Sequence, residues 1–200
     1  LSAPLPGVVE LVPAARTILV RFAPPATAAS VRAWIAGAGT APAGAAAEDA
    51  ASVVLPIVYD GPDVAAAADL LGVGAETLVA RHAAAVWTVA FTGFAPGFGY
   101  LTSPDWPFDV PRLDVPRTRV PAGSVGLAGV FTGAYPRETP GGWRLIGRTS
   151  APLFAPDAAA PVLLAPGTTV RFDPARGSVS SAPGGPTAPG RAVASGRPAL

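Results

Sequence analysis

The 200-residue chain contains no cysteine, lysine, methionine, asparagine or glutamine, and it has a single histidine. The missing cysteines exclude a disulfide framework, a thiolate zinc site and a cysteine nucleophile. The missing lysines exclude the P-loop lysine, Schiff-base chemistry and the Ser-Lys machinery of amidases. Because the usual metal sites need several histidines, we also predict no metal site in this chain.

Charge and long hydrophobic runs are equally scarce. The formal net charge is +1 at pH 7, which gives no electrostatic basis for binding nucleic acid or an anionic membrane. The longest stretch without acidic residues or arginine, residues 82–104, is broken by glycine and proline and falls short of the ~20 apolar residues of a spanning helix. No basic segment precedes an apolar core as in a signal peptide. We therefore expect a soluble, cytoplasmic protein with no nucleic-acid or membrane partner.

Apolar residues are nonetheless numerous enough for a folded core. Leu, Ile, Val and Phe make up a quarter of the chain, which is above the level at which chains stay disordered. The 23 glycines and 25 prolines make up nearly another quarter, which favours many turns over long helices. The sequence therefore predicts one or two domains built from short elements.

The N-terminal segment, residues 1–84, predicts a small α+β domain. Its apolar patterns predict a hairpin of residues 8–12 and 17–22, a helix capped by Thr27, a strand over residues 53–59, and helices over residues 63–71 and 75–81. The single histidine, His82, falls at the end of the last helix, where the helix dipole favours its cationic form.

Residues 85–176 predict a β-barrel domain, because helical periodicity stops at Val86. Between residues 92 and 149 there are 10 Gly and 8 Pro, which separate short apolar runs. Many short strands joined by such turns are typical of a closed or nearly closed barrel. The candidate strands are residues 86–91, 124–128, 130–132, 143–146, 162–164 and 169–172. The remaining residues, 177–200, predict an irregular Gly/Pro-rich tail.

Three features could carry chemistry, and each has a purely structural alternative. The loop at residues 93–101 is either a tight barrel turn or a rigid pocket wall whose glycines let a ligand approach the backbone. Ser124 is either a turn residue or a site residue, and it is not a nucleophile elbow because Ala122 replaces the first glycine of that motif. His82 is either a helix-end residue or an acid–base group whose partner the sequence does not reveal.

Arginines form the remaining candidate. Six of the fourteen lie between residues 112 and 148. If residues 117–119 are extended, Arg117 and Arg119 share one face of the strand. Clustered guanidinium groups suit the capture of a carboxylate or phosphate, whereas a solvated surface is the structural alternative.

Four motifs, taken together, resemble a known family. They are residues 94–101 (FAPGFGYL), 120–129 (VPAGSVGLAG), 132–136 (TGAYP) and 140–149 (PGGWRLIGRT). Their order and spacing resemble the PxpB/KipI family, whose members are the B subunits of 5-oxoprolinase and are also known as allophanate hydrolase subunit 1. This family shares subdomains C and D of the carboxyltransferase domain of urea carboxylase. The match is strongest over residues 82–172.

The resemblance implies an α+β fold, in which a small N-terminal α+β domain is followed by a cyclophilin-like β-barrel domain. It also implies a substrate pocket formed by the groups that the family pattern repeats. The expected catalytic residues are His82, Ser124, Tyr135 and Arg148. The expected substrate-binding residues are Phe94, Pro96, Gly97, Tyr100, Gly123, Arg119, Gly142 and Trp143.

The resemblance further implies an activity and partners. The family's B subunit works with a larger homologous C subunit, and with a third subunit, in the ATP-dependent opening of 5-oxoproline to glutamate. We therefore expect one subunit of a hetero-oligomeric hydrolase that acts on the C–N bond of a cyclic amide. ATP is the expected co-substrate, and a partner subunit could bind it. The allophanate label fits poorly, because that amidase chemistry needs a lysine.

Two other functions are compatible with the same resemblance. One is a KipI-like regulator that inhibits a histidine kinase and carries no chemistry. The other is a carboxyltransferase-like component of a urea carboxylase-type system, which uses biotin-borne carboxylate. A neighbouring gene for the larger subunit would favour the hydrolase, and a neighbouring biotin carboxylase gene would favour the carboxyltransferase.

The chain departs from the family pattern at three places. Gly99 stands where the family has proline, and Phe131 stands where it has glutamine, which removes a hydrogen-bond donor and acceptor. Members also begin with another strand and helix before the segment that matches Leu5. Either the chain is a piece of a longer one, or its N-terminal sheet lacks a strand and exposes an edge.

Aromatic residues are concentrated in the turn-rich segments, where a compact barrel is not expected to bury them all. Exposed aromatic side chains mark interaction surfaces. We therefore expect these residues to form a patch that binds a partner subunit. They are Phe94, Phe98, Tyr100, Trp106, Phe108, Phe131 and Tyr135.

Overall fold

The structure is a computed structural model that describes residues 5–38 and 51–175. These residues form eleven β-strands and three α-helices. In chain order they are β1 (Val8–Pro13), β2 (Ile18–Phe22), α1 (Ala28–Gly37), β3 (Ser52–Ile57), α2 (Val64–Leu70), α3 (Ala75–Ala84), β4 (Trp87–Thr92), β5 (Gly99–Thr102), β6 (Arg117–Val120), β7 (Ser124–Ala128), β8 (Phe131–Ala134), β9 (Thr139–Gly141), β10 (Arg144–Arg148) and β11 (Thr169–Pro174). The predicted tail at residues 177–200 lies outside the described residues.

The first elements form as their local sequence predicts. Strands β1 and β2 pair antiparallel across a tight turn in which Pro13 lies opposite Ile18. Thr27 caps α1, since its hydroxyl accepts the Ser30 backbone N–H while the Ser30 hydroxyl accepts the Thr27 N–H. This reciprocal pair satisfies two backbone donors at the helix start. The predicted hairpin and the predicted cap are both confirmed.

A seven-stranded sheet, in the order β10-β7-β8-β5-β4-β11-β3, forms the body of the protein. The sheet closes on itself because Val58, just after β3, exchanges two backbone hydrogen bonds of 2.9 Å with Arg148 at the end of β10. Strands β6 and β9 pair separately as a short ribbon. The predicted α+β fold with a nearly closed barrel is confirmed.

Strand β3 belongs to the barrel although it precedes residue 84. It pairs parallel with β11 along its whole length, from Ser52 opposite Thr169 onward. Helices α2 and α3 bury Ala67, Ala68 and Leu78 in the barrel core. The sheet and its core therefore include residues from both sides of the predicted boundary at residue 84, because β3 pairs with a strand from the far end of the barrel.

The core has two layers, one on each face of the sheet. Successive residues of a strand point to opposite faces. Accordingly, Leu101 of β5 packs inside the barrel with Trp87, while its neighbour Tyr100 packs against a second aromatic cluster. That cluster contains the buried residues Ala95, Phe98, Val120, Ala128, Tyr135, Trp143 and Leu145, with Tyr100 and Phe131 at its rim.

The two core clusters together overturn the expectation of an exposed aromatic patch, since Trp106 and Phe108 pack in the inner cluster and four of the others in the second. Phe98, Trp106 and Tyr135 are at most 6% exposed. Tyr100, Phe108 and Phe131 are half-buried, and of the seven aromatic residues Phe94 alone is exposed, at 59%. Sequence periodicity could not reveal that the outer face of the sheet is itself covered.

Smaller predictions had mixed outcomes. Strands β5, β6 and β9 were not among the predicted strands, and the predicted strand at residues 162–164 contains only an isolated bridge between Phe154 and Val162. A tight turn at residues 165–168 is closed by a 3.0 Å hydrogen bond from the Thr168 N–H to the Ala165 carbonyl, with Gly167 at φ +87°. None of the described helices is long and apolar enough to cross a membrane.

Barrel closure depends on a glycine in β10, and this gives a first prediction. A Cβ on Gly147 would lie 2.4 Å from the Val58 carbonyl oxygen, whereas a Cβ on Gly37 of α1 would meet nothing within 4 Å. We expect Gly147→Ala to lower the free energy of unfolding by about 1–3 kcal/mol, as overpacking does. Gly37→Ala, the control, should be neutral or stabilising by up to ~1 kcal/mol. Urea unfolding of both variants measures this, and equal stabilities would contradict the closure.

Candidate functional site

A cleft of about 350 Å³ lies where β6, β7 and β10 meet the loop after β3. We call it the arginine cleft, and it is lined by Asp60, Gly61, Arg117, Arg119, Ser124 and Arg148 among others. It brings together predicted site residues from different strands, since Arg148 lies directly opposite Ser124 in the β10–β7 pairing. The predicted association of Ser124, Arg119 and Arg148 in one concavity is therefore present.

The wall of the cleft is fixed by Asp63, a residue that the sequence indicated only as a helix start. Its side chain does not cap α2. One carboxylate oxygen instead accepts from Arg117 Nη2 at 2.7 Å, and the other accepts from the Leu145 backbone N–H at 2.7 Å. The Asp63 backbone N–H also donates to the Leu145 carbonyl at 3.0 Å. Asp63 thus ties together α2, β6 and β10.

The other two arginines of the cleft make looser pairs. Arg148 Nε lies 2.7 Å from Asp60, and Arg119 Nε lies 2.6 Å from Glu138. The Arg148 and Arg119 side chains are 59% and 76% exposed, against 28% for Arg117. Exposed pairs of this kind contribute little to stability. These two guanidinium groups are therefore available to a ligand at small cost.

His82 lies in the barrel core, away from the arginine cleft. It is 0% exposed and packs against Trp87, Trp106 and Phe172, with ring centroids 4.5–5.9 Å away. We expected His82 to lie close to the pocket, as an acid or base at the end of a helix. The structure places it elsewhere. The reason is that the last turn of α3 packs against the inside of the sheet.

Hydrogen bonds determine which ring nitrogen of His82 carries the proton, and burial determines the charge of the ring. The Thr132 hydroxyl donates to the Gly126 carbonyl at 3.1 Å, so it accepts from His82 Nε2 at 2.9 Å. Nδ1 then accepts the Tyr59 hydroxyl at 2.7 Å. Burial lowers the pKa of His82 to about 3, so the ring is neutral at neutral pH, contrary to the expected cationic form.

This placement decides what Ser124 can do. A serine nucleophile needs an adjacent base to take its proton. The only histidine of the chain is engaged by Tyr59 and Thr132. The geometry therefore suits Ser124 as a hydrogen-bonding residue at the floor of the cleft, not as an activated nucleophile.

A second, smaller cleft of about 220 Å³ adjoins the first, and Ala122 lines both. It is lined by two predicted site residues, Gly123 and Tyr135, together with Phe154. Burial raises the pKa of Tyr135 to about 12, so this phenol stays protonated at neutral pH. Tyr135 packs so closely on Gly141 that a Cβ there would lie 2.6 Å from its hydroxyl. Tyr135 can donate a hydrogen bond but is poorly suited to act as a base.

None of the remaining predicted substrate-binding residues lines either cleft, so the pocket expected from the 93–101 loop is not formed there. Gly97, at φ +82°, packs against Phe154 of the second cleft, and the exposed Phe94 ring lies 6.1 Å from Tyr135. Tyr100 and Trp143 pack against each other in the aromatic cluster. Of the two others, Pro96 is exposed, and Gly142 is half-buried beside Pro116.

Two acidic residues of the site, Asp60 and Asp63, were missed by sequence reasoning. Their partners, Arg148 and Arg117, lie far away in the chain. No local signal could have paired them with these arginines. Within residues 5–38 and 51–175, no three His, Cys, Asp or Glu side chains are grouped to hold a metal ion.

Comparisons with known proteins agree on one family. A family model described as carboxyltransferase domain, subdomain C and D, matches residues 1–164. The B subunit of 5-oxoprolinase from Escherichia coli O157:H7 is 46% identical over 130 residues, which are 64% of this chain and 60% of that protein. The protein of the same name from Bacillus subtilis strain 168 is 42% identical over 123 residues, 60% of this chain and 51% of that protein. The chain thus spans between half and two thirds of the length of these relatives.

A solved structure resembles the chain over most of its length. It is that of a conserved uncharacterized protein from Pyrococcus horikoshii, which is 35% identical. The two superimpose with a TM-score of 0.59 over 86% of this chain and 80% of the other. The architecture described above is therefore shared with a protein of similar extent.

The buried histidine gives a second prediction, on pH. The pKa of His82 is about 3 in the folded chain and about 6.5 when unfolded, so acid protonates the unfolded state first. Stability is therefore complete above pH 6.5 and falls as the pH is lowered toward 3. Between pH 6.5 and pH 5 we expect a loss of about 1–2 kcal/mol in the free energy of unfolding, measured with urea.

Two observations check this assignment. His82→Gln should remove the loss between pH 6.5 and pH 5, because the chain has no other histidine. The imidazole NMR signals of the unaltered protein should not move over the same range. A titration midpoint near pH 6.5 would show that His82 is accessible to water and would contradict the buried, neutral ring.

Proposed function

The chain belongs to the carboxyltransferase subdomain C and D family, and from this premise we propose that it is part of the B subunit of a 5-oxoprolinase-type enzyme. The resemblance noted in the sequence is confirmed, since relatives at 42% and 46% identity carry the name of the 5-oxoprolinase B subunit. The proposed reaction is the ATP-dependent hydrolysis of the cyclic amide of 5-oxoproline, which yields glutamate.

The observation that supports this function most directly is the arginine cleft. The substrate carries one carboxylate, ring opening builds negative charge on the amide oxygen, and the product carries a second carboxylate. Guanidinium groups are suited to such oxyanions. Arg117, Arg119 and Arg148 line one cleft, and Ser124 adds a hydroxyl to its lining. We propose that these residues bind the substrate carboxylate and stabilise the developing charge.

ATP is proposed as co-substrate, bound by another subunit. Opening of a lactam is uphill, and phosphorylation of the amide oxygen would supply the electrophile. The arginine cleft suits the triphosphate poorly, because three carboxylates lie beside its three arginines and would repel a polyanion, and the chain has no lysine. We therefore place the nucleotide on a partner.

The proposed partners are the larger homologous C subunit and a third subunit, in the cytoplasm. The support is that the relatives are named as one subunit of an enzyme. The seven aromatic residues that were expected to mark this interface are mostly buried or half-buried, so they do not support a location for it.

A second candidate function is favoured by the description of the matching family, carboxyltransferase domain. In that case the cleft would hold the carboxyl acceptor or the carboxylated biotin. The two functions differ in their co-reactants. A co-expressed complex that consumes ATP and 5-oxoproline without biotin supports the hydrolase, and one that requires carboxylated biotin supports the carboxyltransferase.

The third prediction concerns Arg148. In the co-expressed complex, Arg148→Ala should lower kcat/KM for 5-oxoproline about tenfold or more, since a charge-assisted hydrogen bond contributes ~1.5–3 kcal/mol. The matched control is Arg21→Ala, which removes another exposed arginine that is also paired with a carboxylate, Glu10. Steady-state ATP-dependent release of glutamate measures both variants. Equal losses, or no loss for Arg148→Ala, would place the substrate outside the cleft.

The fourth prediction concerns assembly. Co-expressed with the larger homologous subunit, the chain should elute with it as one species whose mass by light scattering exceeds that of either alone. The chain alone should show no turnover of 5-oxoproline. A chain that stays separate from the larger subunit and hydrolyses the lactam by itself would contradict the subunit proposal.

A further inference from the structure

The three arginines of the arginine cleft are held in two different ways. Arg117 is fixed: it donates to Asp63 at 2.7 Å and to the Trp143 carbonyl at 3.4 Å, and its side chain is 28% exposed. Asp63 is itself held by the Leu145 N–H, so this pair cannot rotate as a unit. Arg117 is therefore a permanent part of the wall.

Arg148 and Arg119 are held by exposed carboxylates of the chain itself. Arg148 donates through Nε to Asp60 at 2.7 Å, and Arg119 forms an ion pair with Glu138 in which Nε lies 2.6 Å from one carboxylate oxygen. The Asp60 and Glu138 side chains are 45% and 48% exposed, so both can swing into water. A guanidinium group prefers a carboxylate that can accept two parallel hydrogen bonds. An incoming carboxylate can therefore replace the internal one without leaving either charge desolvated.

We propose that the arginine cleft binds a small organic carboxylate by exchange, in which the ligand displaces Asp60 from Arg148 and Glu138 from Arg119. Arg117 and Asp63 stay in place as positioning residues. The identity of the ligand rests on the proposed function, whereas the exchange rests on the geometry of the three pairs. 5-Oxoproline, with one carboxylate, would displace Asp60 alone, and glutamate, with two, would displace both Asp60 and Glu138.

Size and charge both favour a small carboxylate over a polyphosphate. A volume of about 350 Å³ lies at the small end of the range for ligand pockets, which suits a small molecule. The three arginines are balanced by three carboxylates, so a polyphosphate would meet Asp60, Asp63 and Glu138 as well as the cations. A ligand that brings one negative charge for each internal carboxylate that it displaces leaves every arginine paired with one carboxylate.

The test uses the full chain and glutarate, a five-carbon dicarboxylate, titrated calorimetrically at low ionic strength. The double variant Asp60→Asn with Glu138→Gln should bind glutarate at least fivefold more tightly, because the internal competitors are gone. Arg148→Gln should weaken binding at least tenfold. In the Arg148→Gln background, Asp60→Asn should give no gain, since the cation it competes for is absent.

The matched control is Glu10→Gln, which breaks an exposed ion pair of 2.6 Å with Arg21, outside the cleft. It should leave glutarate affinity unchanged, which separates exchange from a general effect of net charge. Thermal unfolding of every variant verifies that the fold is kept.

Unchanged or weaker binding by the Asp60→Asn, Glu138→Gln variant would overturn the proposal, and so would an equal gain from Glu10→Gln. Turnover of 5-oxoproline by the co-expressed subunits is measured separately. Tighter glutarate binding in a complex without such turnover would support the exchange and contradict the proposed function.

Discussion

The carboxylate of Asp63 is the contact on which the site depends. It accepts one hydrogen bond from Arg117 and one from the Leu145 backbone, at 2.7 Å each, and its own side chain is 10% exposed. A buried charge is tolerated only when it is paired and hydrogen-bonded, and here both oxygens are satisfied. Removing either partner would leave an uncompensated charge, so α2, β6 and β10 are fixed to one another, and with them the walls of the arginine cleft.

Around this fixed point the chain separates rigid from exchangeable groups. The barrel closure at Val58 and Arg148 positions the backbone of Arg148, and Gly147 permits the close approach. The guanidinium of Arg148 nonetheless reaches into water. The site thus combines a fixed backbone with side chains that can change partners at little cost, which is what a reversible anion site needs.

Sequence reasoning succeeded where local interactions decide the structure. The hairpin of β1 and β2 and the Thr27 cap of α1 depend on neighbours a few residues away, and both form as predicted. Sequence reasoning failed where contacts between distant segments of the chain decide the structure. Strand β3 finds its partner in β11, at the other end of the barrel, so it joined a sheet that its position in the chain did not indicate.

The candidate site shows the same division. Ser124 and Arg148 could be grouped because the family motifs contain them, and Arg119 directly precedes one of these motifs. All three line one cleft. The sequence indicated Asp63 only as the start of a helix, because no nearby residue reveals that its carboxylate pairs with Arg117. His82 resembled an exposed helix-end residue, because no local signal shows that α3 packs its last turn into the barrel, where Thr132 and Tyr59 occupy both ring nitrogens.

The central claim is that the arginine cleft is where the substrate carboxylate binds. The most direct measurement is a crystal structure of the co-expressed subunits grown with 5-oxoproline. We expect the ligand carboxylate within hydrogen-bond distance of the Arg148 guanidinium, with Asp60 turned away and the Arg117–Asp63 pair intact. Ligand bound elsewhere while Arg148 still pairs with Asp60 would contradict this claim.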